Sequence, residues 1–226
     1  MPLDQKLQGS VQGSPNGSLG FDTKAKLSSA MAQGFAEDYT FCVRYISLRE
    51  FGDAEGSTRS DLTHEEASEI LKAGLALMPV QHVPNSGWMP NASLGKQYGT
   101  NAASNVDLIG FPIDVTIWCS LEDVNTSASA QDVIDYCNTW YEQLTLWGYM
   151  SGLYVGANPG LNAGQLSELK FQHYWKSESD VPDPSTGYQM TQGFTETVNG
   201  ISINPDRTCV DNQGRVPQLL YPMRLP

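Results

Sequence analysis

Short apolar runs alternate with amphipathic stretches along most of the chain. The apolar runs have the length and composition of strands, and they predict eight, at residues 19–22, 41–46, 75–83, 113–121, 150–155, 171–175, 188–192 and 201–203. Apolar residues at helical spacing predict helices between them, at residues 24–34, 60–73, 95–108, 130–147 and 161–169. No helical pattern separates the last three strands. This alternation is typical of βα units around a parallel sheet.

Two of the helix starts carry capping signals. Thr23 can cap the helix predicted at residues 24–34. Thr63, followed three residues later by Glu66, matches a capping box at the start of the next helix. Both signals support the division of the chain into strand–helix units.

The number of strands favours a closed barrel over an open sheet. Eight strands in 226 residues predict an α/β fold, a TIM-type (β/α)8 barrel with missing or shortened helices in its C-terminal third. A doubly wound open sheet usually has a glycine-rich first turn, and Gly-Phe-Asp-Thr at residues 20–23 is not one. Residues 1–18, rich in Gly, Ser, Gln and Asn, predict a flexible N-terminal arm, and residues 19–226 form the predicted barrel.

The charge of the chain argues against nucleic acids and membranes as partners. Its net charge is −12 and its pI is about 4.5, so anionic polymers and lipid surfaces would be repelled. No apolar stretch is long enough for a membrane span. The first residues show no secretory signal, so we expect a protein made in the cytoplasm, with export by a signal-less route left open.

Neither cysteines nor histidines indicate a metal or another cofactor. The four cysteines form no Cys-x-x-Cys pair and are interpreted as small buried residues, with a disulfide as the alternative. The histidines have no spacing typical of metal ligands; they are His64, His82 and His173. We therefore predict no metal site and no cofactor.

Two acids lie at the ends of predicted strands, where the active site of an α/β barrel would be. The run Thr-Ile-Trp-Cys-Ser-Leu at residues 116–121 predicts a buried strand, and Glu122 follows it directly. Asp22 ends the first predicted strand in the same way. Active sites of α/β barrels lie at the carboxyl ends of the strands. The alternatives are a solvent-exposed loop acid for Glu122 and a helix N-cap for Asp22.

Several short motifs in a fixed order resemble a known family. They are Gly-Phe-Asp at residues 20–22, Val-Arg-Tyr at 43–45, Leu-Thr and Glu-Ala at 62–63 and 66–67, Ala-Gly-Leu at 73–75, Gly-Tyr-Met-Ser-Gly-Leu-Tyr at 148–154, Gly-Tyr to Gln at 187–192, and Asp to Gly at 211–214. Over about residues 19–217 the chain resembles the bacterial glycoside hydrolase-like domain family, long labelled domain of unknown function 1906, which is related to the family 25 lysozymes.

The resemblance implies a TIM-type barrel with a glycan-binding cleft at the carboxyl ends of the strands. In the related lysozymes, acids at the ends of the first, fourth and last strands frame this cleft. The first-strand acid falls on Asp22 and the fourth-strand Glu of the Asp-x-Glu pattern falls on Glu122. On this resemblance we expect a hydrolase acting on peptidoglycan amino sugars, in which Glu122 is the general acid and Asp22 stabilises charge or orients the acetamido group of the substrate.

The chain departs from the lysozyme pattern at two acid positions. Ser120 replaces the Asp of Asp-x-Glu, and Ser202 stands where the last strand of the lysozymes has an Asp. Asp206 or Asp211 can occupy the place of that last-strand Asp in space. Fewer acids favour an alternative, a barrel that binds a glycan without cutting it. A third reading is an interaction or effector module that joins a larger assembly through the N-terminal arm.

The remaining site candidates are residues that suit a sugar cleft. Aromatic side chains can stack on sugar rings, with core packing as the alternative, and Gln192 can hydrogen-bond a sugar hydroxyl. Arg44 inside a barrel would need a carboxylate partner, and Asp22 or Glu122 can supply it. The predicted substrate-binding residues are Arg44, Tyr45, His82, Trp88, Tyr154, Trp175 and Gln192.

Overall fold

A computed structural model describes residues 6–50 and 60–223 of the chain. Its strands are β1 (Gly9–Gly13), β2 (Leu19–Thr23), β3 (Phe41–Ile46), β4 (Ala76–Gln81), β5 (Thr116–Leu121), β6 (Met150–Val155), β7 (His173–Lys176), β8 (Met190–Gln192), β9 (Glu196–Val198), β10 (Ile201–Thr208) and β11 (Gln218–Pro222). Its helices are α1 (Ser29–Phe35), α2 (His64–Lys72), α3 (Ala92–Ile109), α4 (Ala130–Leu146) and α5 (Ala163–Ser167).

Eight of the strands close into a barrel, which confirms the predicted fold class. Strands β2 to β8 pair with their neighbours in parallel, in chain order. Strand β10 closes the ring between β8 and β2, and it is antiparallel to both. Parallel neighbours need a crossover connection, usually a helix, whereas antiparallel ones need only a turn. The missing helix between β8 and β10 therefore accounts for the reversed last strand.

Alternate residues of each barrel strand face two different apolar layers. Phe41 and Val43 pack inside the barrel with the side chains of Met78, Val80, Trp118, Trp175 and Met190. Cys42 and Ile46, the alternate residues of the same strand, pack outward against the helices. This period of two leaves both faces of β3 buried. The barrel interior is a packed core. The open end of the barrel lies at the carboxyl ends of the parallel strands.

Helices α3 and α4 pack closely because glycines of α3 face α4. A Cβ atom on Gly95 would lie 2.3 Å from the carbonyl oxygen of Tyr136, and one on Gly99 would lie 2.8 Å from that of Trp140. The small, polar composition of α3 is thus an adaptation to close backbone contact. No helix within residues 6–50 and 60–223 is long and apolar enough to cross a membrane.

The first helix begins later than the capping signal at Thr23 predicts. Thr23 is the last residue of β2, and its hydroxyl donates to the carbonyl of Ser202 at 2.7 Å. Ser28 is the N-cap of α1 and accepts from the amide of Met31. Residues 24–28 are therefore a loop at the open end of the barrel, because the hydroxyl of Thr23 joins β2 to β10.

The second capping signal is confirmed in part. The hydroxyl of Thr63 accepts from the amide of Glu66 at 3.3 Å, as a capping box requires. The carboxylate of Glu66 instead accepts from Arg44 Nε at 2.9 Å and from the amide of Leu27 at 2.8 Å. Glu66 is buried between α2 and the barrel, where the guanidinium is the stronger partner.

Part of the segment predicted as a flexible arm is a strand in the structure. Strand β1 pairs antiparallel with β11 over five positions, and the amide of Leu7 donates to the carbonyl of Gly110 at 2.8 Å. Composition alone indicates disorder here because these backbone hydrogen bonds need no apolar side chains. All four cysteines are free thiols: Cys42, Cys119 and Cys137 are buried, and Cys209 is half-buried.

Candidate active site

A cavity of about 330 Å³ opens at the carboxyl ends of the parallel strands. Its walls come from the ends of β2, β3, β6 and β8, the loops after β2, β5, β7 and β8, and the start of β10. The lining residues are Asp22, Thr23, Lys24, Ala25, Tyr45, Glu122, Tyr154, Glu178, Gln192, Thr195, Ser202, Ile203 and Asn204. The structure therefore brings both predicted acids to one cavity.

Asp22 is a buried acid held by neutral donors. The Oδ2 atom accepts from Gln192 Nε2 at 2.6 Å, and Oδ1 accepts from the Tyr45 hydroxyl at 3.2 Å and from Asn204 Nδ2 at 3.4 Å. Burial raises the pKa of Asp22 to about 6, although these three donors and the charge of Lys24 oppose the increase. Asp22 consequently changes its charge state close to neutral pH.

Tyr154 fixes the orientation of the Gln192 amide. The Tyr154 hydroxyl donates to Gln192 Oε1 at 2.9 Å, so the amide nitrogen is directed at Asp22. Gln192 thus positions Asp22 through one N–H of its amide. It also lines the cavity, and its direct contact with sugar stays a prediction.

Glu122 follows β5 and reaches the cavity from the opposite part of the barrel wall. Burial raises the pKa of Glu122, while Lys24 and a hydrogen bond from the Ser120 hydroxyl oppose the increase. This hydroxyl donates to Glu122 Oε1 at 3.3 Å. The charges of Asp123 and Glu178 raise the pKa further. A raised pKa keeps more of the protonated form that a general acid requires.

Two neighbours hold Glu122 in place. The indole nitrogen of Trp88 donates to the carbonyl oxygen of Glu122 at 2.9 Å, which fixes the backbone after β5. Gly156 leaves space for the side chain, because a Cβ atom at this position would lie 2.5 Å from Glu122 Cβ and 2.8 Å from Oε2. Glycine is therefore required beside Glu122.

Arg44 lies on the other face of its strand from the cavity. Its partner is Glu66, with Nε to Oε1 at 2.9 Å and both side chains fully buried. The guanidinium also donates to the carbonyls of Thr23 and Ser60. The predicted pairing of Arg44 with Asp22 or Glu122 is wrong, because the alternation of β3 directs Tyr45 to the cavity and Arg44 toward α2.

His82 and Trp88 support the cavity wall from behind. His82 Nε2 is 3.0 Å from Asp61 Oδ1, and the imidazole ring lies 4.8 Å from the ring of Tyr45. Trp88 packs edge-on against Tyr136 at 4.8 Å between ring centroids. Neither residue lines the cavity.

Trp175 lies inside the barrel beneath the cavity. Its ring packs against Tyr154 at 4.6 Å and against Trp118 at 5.7 Å, and its indole nitrogen donates to Asp206 Oδ1 at 3.1 Å. Trp175 is completely buried. It belongs to the core, which is the alternative that the sequence left open.

The last barrel strand places its polar residues at different depths. Asn204 lies opposite Asp22 in the pairing of β10 with β2, and Asp206 lies opposite Gly20, farther from the open end. Asp211 instead accepts from Arg215 Nε at 2.9 Å and from Gln189 Nε2 at 2.6 Å, outside the cavity. Of the two acids considered as replacements, Asp206 is therefore the one close to Asp22.

The sequence patterns do not identify some of the residues that line the cavity. Glu178 follows β7, so it carries the strand-end signal that identified Asp22 and Glu122. Lys24 and Thr195 have no comparable signal, because each belongs to a loop whose course depends on the closed barrel. Among the described residues, no group of three or more His, Cys, Asp or Glu side chains is arranged to hold a metal ion.

The closed eight-strand barrel, with Asp22 and Glu122 at its open end, is the fold of a glycoside hydrolase-like family. The family described as Rv2525c-like, glycoside hydrolase-like domain matches residues 33–210, and the chain belongs to this family. This confirms the family resemblance. The match includes Glu122, whereas Asp22 precedes its first residue. None of the curated proteins compared with the chain matches it.

Several solved structures share the fold, and three of them are described below. The Tat-secreted protein Rv2525c of Mycobacterium tuberculosis is 17% identical, with a TM-score of 0.64 over 88% of this chain and 98% of that one. The catalytic domain of endolysin ply40 from bacteriophage P40 of Listeria monocytogenes is 17% identical, with a TM-score of 0.54 over 87% and 95%. The spore cortex lytic enzyme SleM of Clostridium perfringens is 12% identical, with a TM-score of 0.58 over 91% and 71%.

Proposed function

We propose that this protein is a glycoside hydrolase that cuts the amino-sugar strands of bacterial peptidoglycan. The observation that carries the proposal is the meeting of Asp22 and Glu122 in one cavity, where burial raises the pKa of both carboxyl groups. Glycoside cleavage needs a proton donor for the leaving oxygen and negative charge for an oxocarbenium-like transition state. Two acids in different environments can divide these tasks.

Glu122 is the proposed general acid. It is half-buried and reaches the cavity edge, so its proton can be delivered to a glycosidic oxygen bound there. The neighbouring carboxylates of Asp123 and Glu178 favour its protonated form.

Asp22 is the proposed charge stabiliser. Three neutral donors fix its carboxylate without neutralising it, so the negative charge remains available to the substrate. An ionised Asp22 can stabilise the cationic sugar or accept from the acetamido N–H, so that the acetamido oxygen becomes the nucleophile. When Asp22 orients the acetamido group, no third acid is needed. This suits a site in which Ser120 and Ser202 stand where the lysozyme pattern has acids.

Aromatic side chains at the cavity supply contacts for sugar rings. Tyr45 and Tyr154 line its wall. Phe194 lies between the lining residues Gln192 and Thr195, and 80% of it is exposed. Flat apolar faces beside polar groups suit the two-sided surface of a pyranose ring. We assign His82, Trp88 and Trp175 to the support of this wall.

The endolysin domain and the spore cortex lytic enzyme that share this fold support a cell-wall glycan as the substrate. The Tat-secreted relative supports a place of action outside the cytoplasm. We therefore propose that this protein also acts outside the cytoplasm, without assigning its export route.

A barrel that binds the glycan without cutting it is the second candidate. The hydrogen bond from Ser120 favours it, because a donor to Glu122 stabilises the ionised form and weakens a general acid.

Release of soluble fragments from purified peptidoglycan separates the two candidates. We expect release by the wild type and a loss of at least about 100-fold with Glu122→Gln, because proton donation by a positioned acid contributes about that much or more. Glu142→Gln is the matched control, since Glu142 lies on α4, outside the cavity, and pairs with Lys170. Co-sedimentation of the wild type with the polymer, without release, would overturn the hydrolase and support the binding barrel.

A further inference from the structure

Asp206 is a buried acid that the proposed chemistry does not use. Only 1% of the residue is exposed, and its Oδ1 atom accepts from the indole nitrogen of Trp175 at 3.1 Å. Its Oδ2 atom is buried and has no hydrogen-bond partner among the residues that the structure describes. An ionised carboxylate in such a position costs far more free energy than a neutral carboxyl group.

Among the described residues, the surroundings of Asp206 contain a second acid and no cation paired with it. Asp206 is opposite Gln192 on β8 and opposite Gly20 on β2, two residues before Asp22. The ionisable groups that act on it or are affected by its charge are Asp22, Tyr154 on β6 and Cys42 on β3. Within residues 6–50 and 60–223, no Lys, Arg or His forms an ion pair with Asp206.

We propose that Asp206 keeps its proton in the folded protein, so that the two neighbouring acids together carry a single negative charge, on Asp22. The proton belongs on Oδ2, because Oδ1 is already an acceptor. A neutral Asp206 leaves the Asp22 carboxylate to Gln192, Tyr45 and Asn204, with no second charge to displace it. The consequence for catalysis rests on the proposed function, whereas the proton on Asp206 does not.

The electrostatic surroundings of the two acids also predict that Asp22 ionises before Asp206. Burial raises the pKa of Asp206 well above its ordinary range, the charge of Asp22 raises it further, and the hydrogen bond from Trp175 opposes both. When two like charges approach each other in a buried site, the second ionisation is suppressed. Asp22 has three hydrogen bonds to its carboxylate and Asp206 has one, so Asp22 ionises first.

Carbon-13 NMR of aspartate carboxyl groups tests the proposal directly. In intact protein labelled at aspartate Cγ, we expect the resonance that Asp206→Asn removes to have the chemical shift of a protonated acid at about pH 7. An ionised shift for that resonance at this pH would overturn the proposal. Should Asp206→Asn not fold, through-bond assignment of the Asp206 carboxyl in the wild type gives the same reading.

Two further titrations separate a neutral Asp206 from a charged one. With Asp206→Asn, the midpoint of Asp22 should stay at about 6, because a neutral amide replaces a neutral acid. A fall in this midpoint would contradict the proposal, since it would show that a like charge had been removed. With Asp22→Asn, the midpoint of Asp206 should fall, and an unchanged midpoint would contradict the coupling.

Hydrolysis supplies the functional readout. Asp206→Asn should retain kcat/KM within about threefold, because replacing a neutral group by a neutral group of the same shape changes little. A loss of tenfold or more in a folded variant with an unchanged Asp22 midpoint would contradict a neutral Asp206 that the reaction does not use. The NMR result decides the protonation of Asp206 even if no substrate is cut, so failure here and failure of the proposed function are distinguishable.

Discussion

At the scale of single residues, the site depends on how the donors around Asp22 are arranged. Gln192 gives Asp22 its shortest hydrogen bond, and Tyr154 holds Gln192 in the orientation that makes this bond possible. Hydrogen bonds to a carboxylate lower its pKa, while burial raises it. The pKa of about 6 is the balance between the two.

The substitution Gln192→Leu should raise the pKa of Asp22. The variant removes a donor from the charged form of Asp22, so its pKa should rise by about half to one unit, and the acidic limb of the pH–activity profile should move the same way. Tyr154→Phe removes only the hydroxyl that orients Gln192 and should have a smaller effect in the same direction. A profile that does not move in Gln192→Leu would show that Asp22 does not control that limb.

At the scale of the secondary-structure elements, the end of β6 determines where Glu122 can lie. Gly156 follows β6 directly and contacts the side chain of Glu122 across the neighbouring strand end. The cavity wall therefore depends on one residue without a side chain at the junction of β5 and β6.

Gly156→Ala should displace Glu122 without unfolding the barrel. The added methyl group would meet Glu122 Cβ at 2.5 Å, and a misplaced catalytic group reduces the rate by about 100-fold. Gly164→Ala is the matched control, because its Cβ would come no closer than 3.4 Å to a neighbouring atom. Steady-state kinetics and thermal unfolding of both variants make the comparison, and wild-type kcat with Gly156→Ala would argue against Glu122 as the acid.

The secondary-structure elements also determine which parts of the site can be predicted from the sequence. Strand-end acids identified Asp22 and Glu122, because strand ends are visible as the point where an apolar run stops. The face of Arg44 was not predictable, since β3 is apolar on both faces and only barrel closure shows which side is inside. The sequence predicts a helix at Lys24 because Thr23 can act as an N-cap. In the structure the hydroxyl of Thr23 instead donates to the carbonyl of Ser202, far away in sequence, and the helix begins after Ser28.

At the scale of the whole molecule, the buried acids link stability to pH. The pKa of Asp22 is raised in the folded chain, so the folded state binds the proton more tightly than the unfolded state. The stabilisation that results is complete below about pH 4 and is lost as the pH rises through about 6. His173 acts in the opposite sense, because burial lowers its pKa to about 4.

Comparison of the wild type with Asp22→Asn measures the effect of Asp22 together with its coupling to Asp206. Between about pH 4 and pH 6, the free energy of unfolding of the wild type should fall relative to that of the variant by about 2–3 kcal/mol. The contribution of His173 is common to both proteins and cancels. Urea unfolding at several pH values measures the difference, and parallel curves would show that the pKa of Asp22 is not raised by folding.

Cleavage of a glycosidic bond, as proposed for this barrel, creates new sugar ends whose chemistry distinguishes it from other cuts in the polymer. Peptidoglycan treated with the wild type should gain reducing-end amino sugars, which borohydride reduction followed by mass spectrometry identifies, and Glu122→Gln should produce none above the untreated polymer. New free amino groups without new reducing ends, or no new ends of either kind, would contradict the account.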